Sequence, residues 1–198
     1  MKNLSHQDEN KLQSAISPRS AFGFRERAMI DFFLSTGLRV AELVGLQVGH
    51  VCGKKPQGSG RMVRHTLALP AELAKGGRER SIPLNQQARQ AVAEILSFNY
   101  RRGFSVAPEA PLFPNRKHQA MSPRAVRRVL SNHCVKADLD QVVSPHDLRH
   151  TWATRLIDRD VPTHSVQVLL GHVRLASTEV YLHSSPARLA EAVGRISR

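Results

Sequence analysis

From residue 46 to residue 83 the chain changes its period. On either side, apolar residues recur every three or four positions. Here Val63, His65, Leu67 and Leu69 alternate with Arg64, Thr66 and Ala68. A period of two belongs to a pleated strand and a period near 3.6 to a helix. A second short run, Arg80 to Pro83, follows the turn Ala74-Lys75-Gly76-Gly77-Arg78-Glu79, whose paired glycines suit a tight reversal. The pattern predicts a small antiparallel β-sheet with a basic hairpin tip inside a helical chain. The fold class is therefore mainly α with a small antiparallel sheet, α+β. Gly53 to Gly60 forms another basic, glycine-rich loop. It competes with the 74–79 turn for any role that needs a mobile lysine.

The helical segments carry their own start and stop signals. Ser5 is placed to cap a helix through Leu4 to Ile16, with Asp8 near its positive end, and Ser17-Pro18-Arg19-Ser20 breaks it. Residues 22–36 put Ala28, Met29, Phe32 and Phe33 at helical spacing, and Gly37 ends that helix. A short helix from about 39 to 44 turns Val40, Leu43 and Val44 inward and sets Arg39 and Glu42 on one face. Residues 85–97 bury Ala88, Val92, Ile95 and Leu96. Ser122-Pro123 and Ser144-Pro145 each pair a cap with proline at the first helical position. Pro162 starts a further helix that Gly171 ends. Ser184-Ser185-Pro186 opens a last one, with Leu189, Ala192, Val193 and Ile196 on one face.

Charge narrows the partner. The formal net charge is +13, which predicts attraction to a polyanion, nucleic acid first. Residues 100–136 hold Arg101, Arg102, Arg116, Lys117, Arg124, Arg127, Arg128 and Lys136 against one acid, Glu109. The helix from 123 turns Ala125, Val126, Val129 and Leu130 inward and keeps Arg124, Arg127, Arg128 and Lys136 outside. Such a face either tracks a nucleic-acid backbone or is simply solvated. Two cysteines are too few for a disulfide framework and fit a reducing cytosol. No apolar run approaches the ~20 residues of a membrane span, and the N-terminus is polar, unlike a signal peptide. The expected place is the cytoplasm, which in a bacterium also holds the DNA.

Six residues offer chemistry: Arg39, Lys75, His146, Arg149, His172 and Tyr181. Taken singly, each has an ordinary reading: a surface ion pair for Arg39 with Glu42, a solvated turn lysine, a capping histidine, a packed tyrosine. Brought together, they would supply two guanidinium forks for non-bridging phosphate oxygens, an ammonium proton donor, two imidazoles and a phenol nucleophile. A free phenol has a pKa of about 10, so neighbouring cations and a base would be needed to release it. His146 and His150 stand four apart, as zinc ligands can. The HExxH glutamate is missing, however, and no metal is expected. No cofactor is called for, because a phosphotyrosine keeps the energy of the broken phosphodiester.

The motifs Thr36-Gly37-Leu38-Arg39-Val40-Ala41-Glu42-Leu43, Lys75-Gly76-Gly77-Arg78-Glu79-Arg80-Ser81-Ile82-Pro83-Leu84, His146-Asp147-Leu148-Arg149-His150, Leu169-Leu170-Gly171-His172 and Tyr181-Leu182-His183 succeed one another in this chain. In their order and spacing they resemble the tyrosine recombinases, the phage-integrase group, over about residues 4–196. The resemblance implies the tyrosine recombinase catalytic-domain fold and site-specific cleavage and rejoining of double-stranded DNA, giving integration, excision or inversion of a segment. It implies that Arg39 and Arg149 bind the scissile phosphate and that Lys75 is general acid at the 5′-oxygen. It also implies that His146 is a base or shuttle, that His172 donates to the phosphate, and that Tyr181 attacks to give a 3′-phosphotyrosine. Glu42 would support the arginine side. Backbone contacts are expected from Arg78, Arg80, Arg116, Lys117, Arg124, Arg127 and Arg128.

The resemblance further implies four protomers on paired DNA sites, with a monomer in solution compatible with this, and accessory DNA-bending proteins as partners. The expected organisation is one catalytic domain over 1–198, with a core at 4–183 and a final helix at 184–198 docking on a neighbour. The family's N-terminal core-binding domain is not expected within these residues, which read either as a fragment or as a short stand-alone member similar in length to the fimbrial phase-variation invertases. Leu46-Gln47-Val48-Gly49-His50 lacks the acidic residue that usually comes after the first motif. Two other readings share part of these features. A type IB topoisomerase uses the same phosphotyrosine without a partner strand, and a basic DNA-binding module needs no catalysis.

Overall fold

A computed structural model describes residues 3–17, 19–54 and 61–171. Its centre is α2 (Gly23–Thr36), in which Ala28, Met29, Ile30, Phe32, Phe33 and Leu34 are all buried. A helix apolar on most of its circumference must be surrounded, and α5 (Gln86–Arg101) and α7 (Pro145–Ile157) pack on it. α6 (Pro123–Lys136) closes the core with Val126 and Leu130, both fully buried. α1 (His6–Ser14) lies alongside, started by Ser5, whose hydroxyl accepts from the Asp8 N–H at 3.0 Å.

The expected caps are present. Ser122 and Ser144 accept from the N–H groups of Ala125 and Asp147, each with proline next in the chain, and Gly37 ends α2 in the left-handed region at φ 59°. α3 (Val40–Gly45) begins at once. A one-turn helix, α4 (Val48–Val51), comes next, which the apolar pattern does not announce. α5 runs four residues beyond the expected end. Phe98 still faces the core there, and Asn99, fully buried, donates to the Leu112 carbonyl at 3.1 Å.

The period-two region forms two sheets rather than one. β1 (Cys52–Lys54) pairs with β2 (Arg61–Val63), and β3 (Thr66–Leu69) pairs with β4 (Arg80–Pro83), both antiparallel. The run from 63 to 69 breaks at Arg64-His65 because its two halves pair with different strands. Leu67 and Leu69 are buried in the core, Val63 packs half-buried against it, and His65 is exposed. The register Leu67↔Ile82 and Leu69↔Arg80 puts Arg80 on the same face as the buried Ile82.

A small satellite cluster sets one wall of the site. α8 (Thr163–Leu170) is only eight residues long, too short to persist alone. Val166 and Leu170, fully buried, hold it on α7 against Ala153, with Trp152, Leu156, Ile157 and Val161 around them. Each such side chain contributes about 1.5–3 kcal/mol. The C-terminal end of α8 is thereby fixed beside β4 and the α2–α3 turn. His172, Tyr181 and the predicted last helix lie outside the described residues. Among those described, no helix is long and apolar enough to cross a membrane.

Candidate functional site

Glu42 is the centre of the site. Its side chain is 1% exposed, which for a carboxylate requires partners in every direction. The Arg39 backbone N–H donates to Oε2 at 2.7 Å, because Arg39 caps α3 and Glu42 is its third helical residue. The Arg39 guanidinium donates to Oε1 at 3.0 Å. Arg80 reaches in from β4 and binds both oxygens, at 3.0 and 2.7 Å. Arg149 Nη1, from α7, stands 3.9 Å from Oε2. Burial pushes the Glu42 carboxyl up, but the hydrogen bonds from Arg80 and Arg39 outweigh it and hold it below the usual carboxylate range.

The same three arginines meet the end of α8. Arg80 Nε donates to the Leu169 carbonyl at 3.0 Å, and Arg149 Nη2 to the Leu170 carbonyl at 2.7 Å. Arg39 makes longer contacts of 3.4 and 3.5 Å to the Leu170 and Gly171 carbonyls. Carbonyls at a helix end lack a partner within the helix and carry its negative dipole end. Arg149 also donates to the Gly37 carbonyl at 2.7 Å, which ties α7 to the end of α2. Three guanidinium groups thus share one carboxylate. Arg149 and Arg80 are deeply buried, with 3% and 7% of their side chains exposed, while Arg39 keeps 25%. Positive charge gathered in a low-dielectric wall with one open fork is suited to an oxyanion with several oxygens.

Among the described residues, the other expected ones are exposed, apart from Arg80. Lys75 is exposed at the tip between β3 and β4, with Gly76 and Gly77 at φ 97° and 65° beside it, and Arg78 is exposed on the same turn. His146 is exposed on the first turn of α7, whereas His150 faces inward and is pushed down chiefly by burial. Arg124, Arg127 and Arg128 are exposed along α6 and, with Ser122 and Ser131, border a shallow groove of about 500 Å³. Arg116 and Lys117 are exposed on the loop before α6, with Arg116 5.3 Å from the Phe22 ring. Arg80, expected at the DNA backbone, turns inward to Glu42 and α8 instead. Its alternation with the buried Ile82 is the sequence signal for that placement.

Residues 2–188 match the Phage integrase family. A relative named tyrosine recombinase XerC from Pelobacter propionicus is 36% identical over 170 residues, covering 86% of this chain and 51% of the relative. One named tyrosine recombinase XerD from Pseudomonas putida is 32% identical over 198 residues, covering 96% and 60%. The chain thus spans about half to three fifths of the length of these relatives. Among solved structures, the XerA recombinase superposes with a TM-score of 0.76 at 23% identity, covering all of this chain and 66% of that one. XerH bound to its difH substrate gives 0.75 at 22%, covering all of this chain and 55% of that one. These likenesses place the fold among tyrosine recombinase catalytic domains.

Proposed function

This chain belongs to the phage integrase family, and from that premise we propose that it carries out the strand-cleaving and strand-joining chemistry of a site-specific tyrosine recombinase on double-stranded DNA. The observation that carries the reading is the cluster of Arg39, Arg80 and Arg149 around the buried carboxylate of Glu42. In this reading Arg39 and Arg149 take the non-bridging oxygens of the scissile phosphate, whose negative charge grows in the pentacoordinate transition state. The Tyr181 phenol oxygen attacks phosphorus and its proton passes to His146. The bond from phosphorus to the 5′-oxygen breaks, and the leaving oxygen takes a proton from Lys75. His172 donates to a phosphate oxygen. Attack by a 5′-hydroxyl on the phosphotyrosine reverses each step and restores a phosphodiester.

The exposed row of Arg124, Arg127 and Arg128 on α6, with Arg116, Lys117 and Arg78, supports contacts to the DNA backbone. Pairing of two sites by four protomers, with the final helix docking between neighbours and DNA-bending proteins assisting, belongs to the same proposal. So does a bacterial cytoplasmic location, with the DNA.

The test is a nicked DNA duplex that loses the short strand downstream of the cleavage point, so that cleavage is trapped. Candidate sites come from the DNA flanking the gene. Wild-type protein is expected to give a covalent adduct on a denaturing gel, and Tyr181→Phe to give none while still shifting the DNA. An adduct that survives Tyr181→Phe refutes the assignment. Site-independent relaxation of a supercoiled plasmid would move the reading to a type IB topoisomerase.

A further inference from the structure

Among the described residues, Arg80 is a side chain that joins three elements of the site at once. It starts β4, it grips α3 through both oxygens of Glu42, and its Nε holds the Leu169 carbonyl at the end of α8. A planar guanidinium on a carboxylate makes two parallel bonds and fixes the orientation of both groups. Each Glu42 oxygen accepts from both Arg80 and Arg39: Oε1 from the two guanidinium groups, Oε2 from Arg80 and the Arg39 backbone. The Arg39 side chain, a quarter exposed, is therefore held in place by a carboxylate that Arg80 holds in turn. The fit with α8 is close. Gly171 sits at φ 64°, and a Cβ there would lie 3.0 Å from Arg80 Nη1. Five residues before Arg80 on the same hairpin comes Lys75.

Resting on the recombinase reading, we propose that Arg80 is a positioning residue. It aligns the Arg39 fork with the end of α8, from which the chain passes to His172, and it anchors the hairpin that carries Lys75. It touches no DNA. Its effect falls on the rate of cleavage and not on affinity, because a displacement of about 1 Å in a catalytic group costs on the order of 100-fold in rate.

The experiment measures single-turnover cleavage of the nicked duplex and gel-shift affinity for wild type, Arg80→Ala, Arg80→Lys, Arg39→Ala and the Arg39→Ala/Arg80→Ala double variant. Arg80→Ala is expected to cleave roughly 100-fold more slowly with Kd near wild type. Arg80→Lys stays well below wild type, because an ammonium cannot make the fork. The double variant falls short of the product of the two single losses, since Arg80 acts in part through Arg39. A merely structural residue would instead add its full loss in the double variant. Arg80→Ala at wild-type rate, or full multiplication of the two losses, overturns the proposal.

A second measurement is independent of activity. In the wild-type protein the guanidinium Nε–Hε resonance of Arg39 and the amide of Gly171 are tracked by NMR. Both are expected to move in Arg80→Ala while amides in α5 stay in place. Unmoved signals overturn the proposal even where cleavage is slow. Absence of an adduct in the wild type sinks the recombinase reading alone, and the resonances still decide what Arg80 does.

Discussion

Replacing Glu42 by glutamine removes one charge and almost no volume. In the native protein that charge faces Arg39, Arg80 and Arg149 and accepts four hydrogen bonds of 2.7–3.0 Å. Glutamine keeps one acceptor oxygen but turns an NH₂ group toward a guanidinium. Arg80 and Arg149 stay buried without the Glu42 charge, while Arg39 can recover water through its exposed quarter. Removing one partner from a buried ion cluster costs about 3–5 kcal/mol, and the partial escape of Arg39 puts the expected loss near the lower value. In a chain of this size each kcal/mol moves Tm by about 2–4 °C, so a fall of about 6–12 °C is expected at neutral pH.

The pH dependence carries a sign that identifies the cause. The Glu42 carboxyl is depressed in the folded state. Its contribution is complete above the unfolded carboxylate pKa and disappears as pH falls through the lowered native value. The gap between wild type and Glu42→Gln should thus be full at pH 7 and close only under acid, below about pH 4. Thermal unfolding monitored by circular dichroism across pH 3–8 measures it. A loss under about 1 kcal/mol at neutral pH, or a gap that does not change with pH, would refute the account of Glu42 as the charge that holds the three arginines.

Three further outcomes are expected. Burial, with Glu94 nearby, raises the Asp31 carboxyl to about 6 against the pull of Arg27 and Gln13. Its favourable protonation is lost as pH rises through that value, so Asp31→Asn should be more stable than wild type at pH 8 by up to about 3 kcal/mol, with the gain gone near pH 4 in urea titrations. Gly37→Ala places a Cβ 2.1 Å from the Trp152 ring at φ 59°. Urea titration should show a loss of about 2–4 kcal/mol, and cleavage should slow, since Gly37 also receives Arg149. Arg127→Ala with Arg128→Ala should lower the slope of log Kd against log salt by about 0.9 for each phosphate no longer neutralised; an unchanged slope in fluorescence anisotropy would mean that the outer face of α6 is only solvated.

Local rules written in the sequence settled most of the elements. Ser5, Ser122-Pro123 and Ser144-Pro145 start helices because a hydroxyl satisfies an orphan N–H and proline loses nothing at the first position. Gly37 and Gly171 end helices because they accept left-handed φ. The ordered motifs around Arg39, Lys75, Arg149 and Tyr181 pointed to the family without any coordinates. The tertiary structure decided whatever depends on partners far along the chain. The strand expected across 63–69 divides because its halves pair with 52–54 and 80–83. Arg39 and Glu42, which spacing alone leaves as a surface pair, become a buried cluster because α8 and β4 arrive from more than a hundred and about forty residues away. Arg80 looks from composition like one more basic residue for DNA. The pairing register turns it inward, and burial then commits its charge to Glu42 and to the carbonyl end of α8.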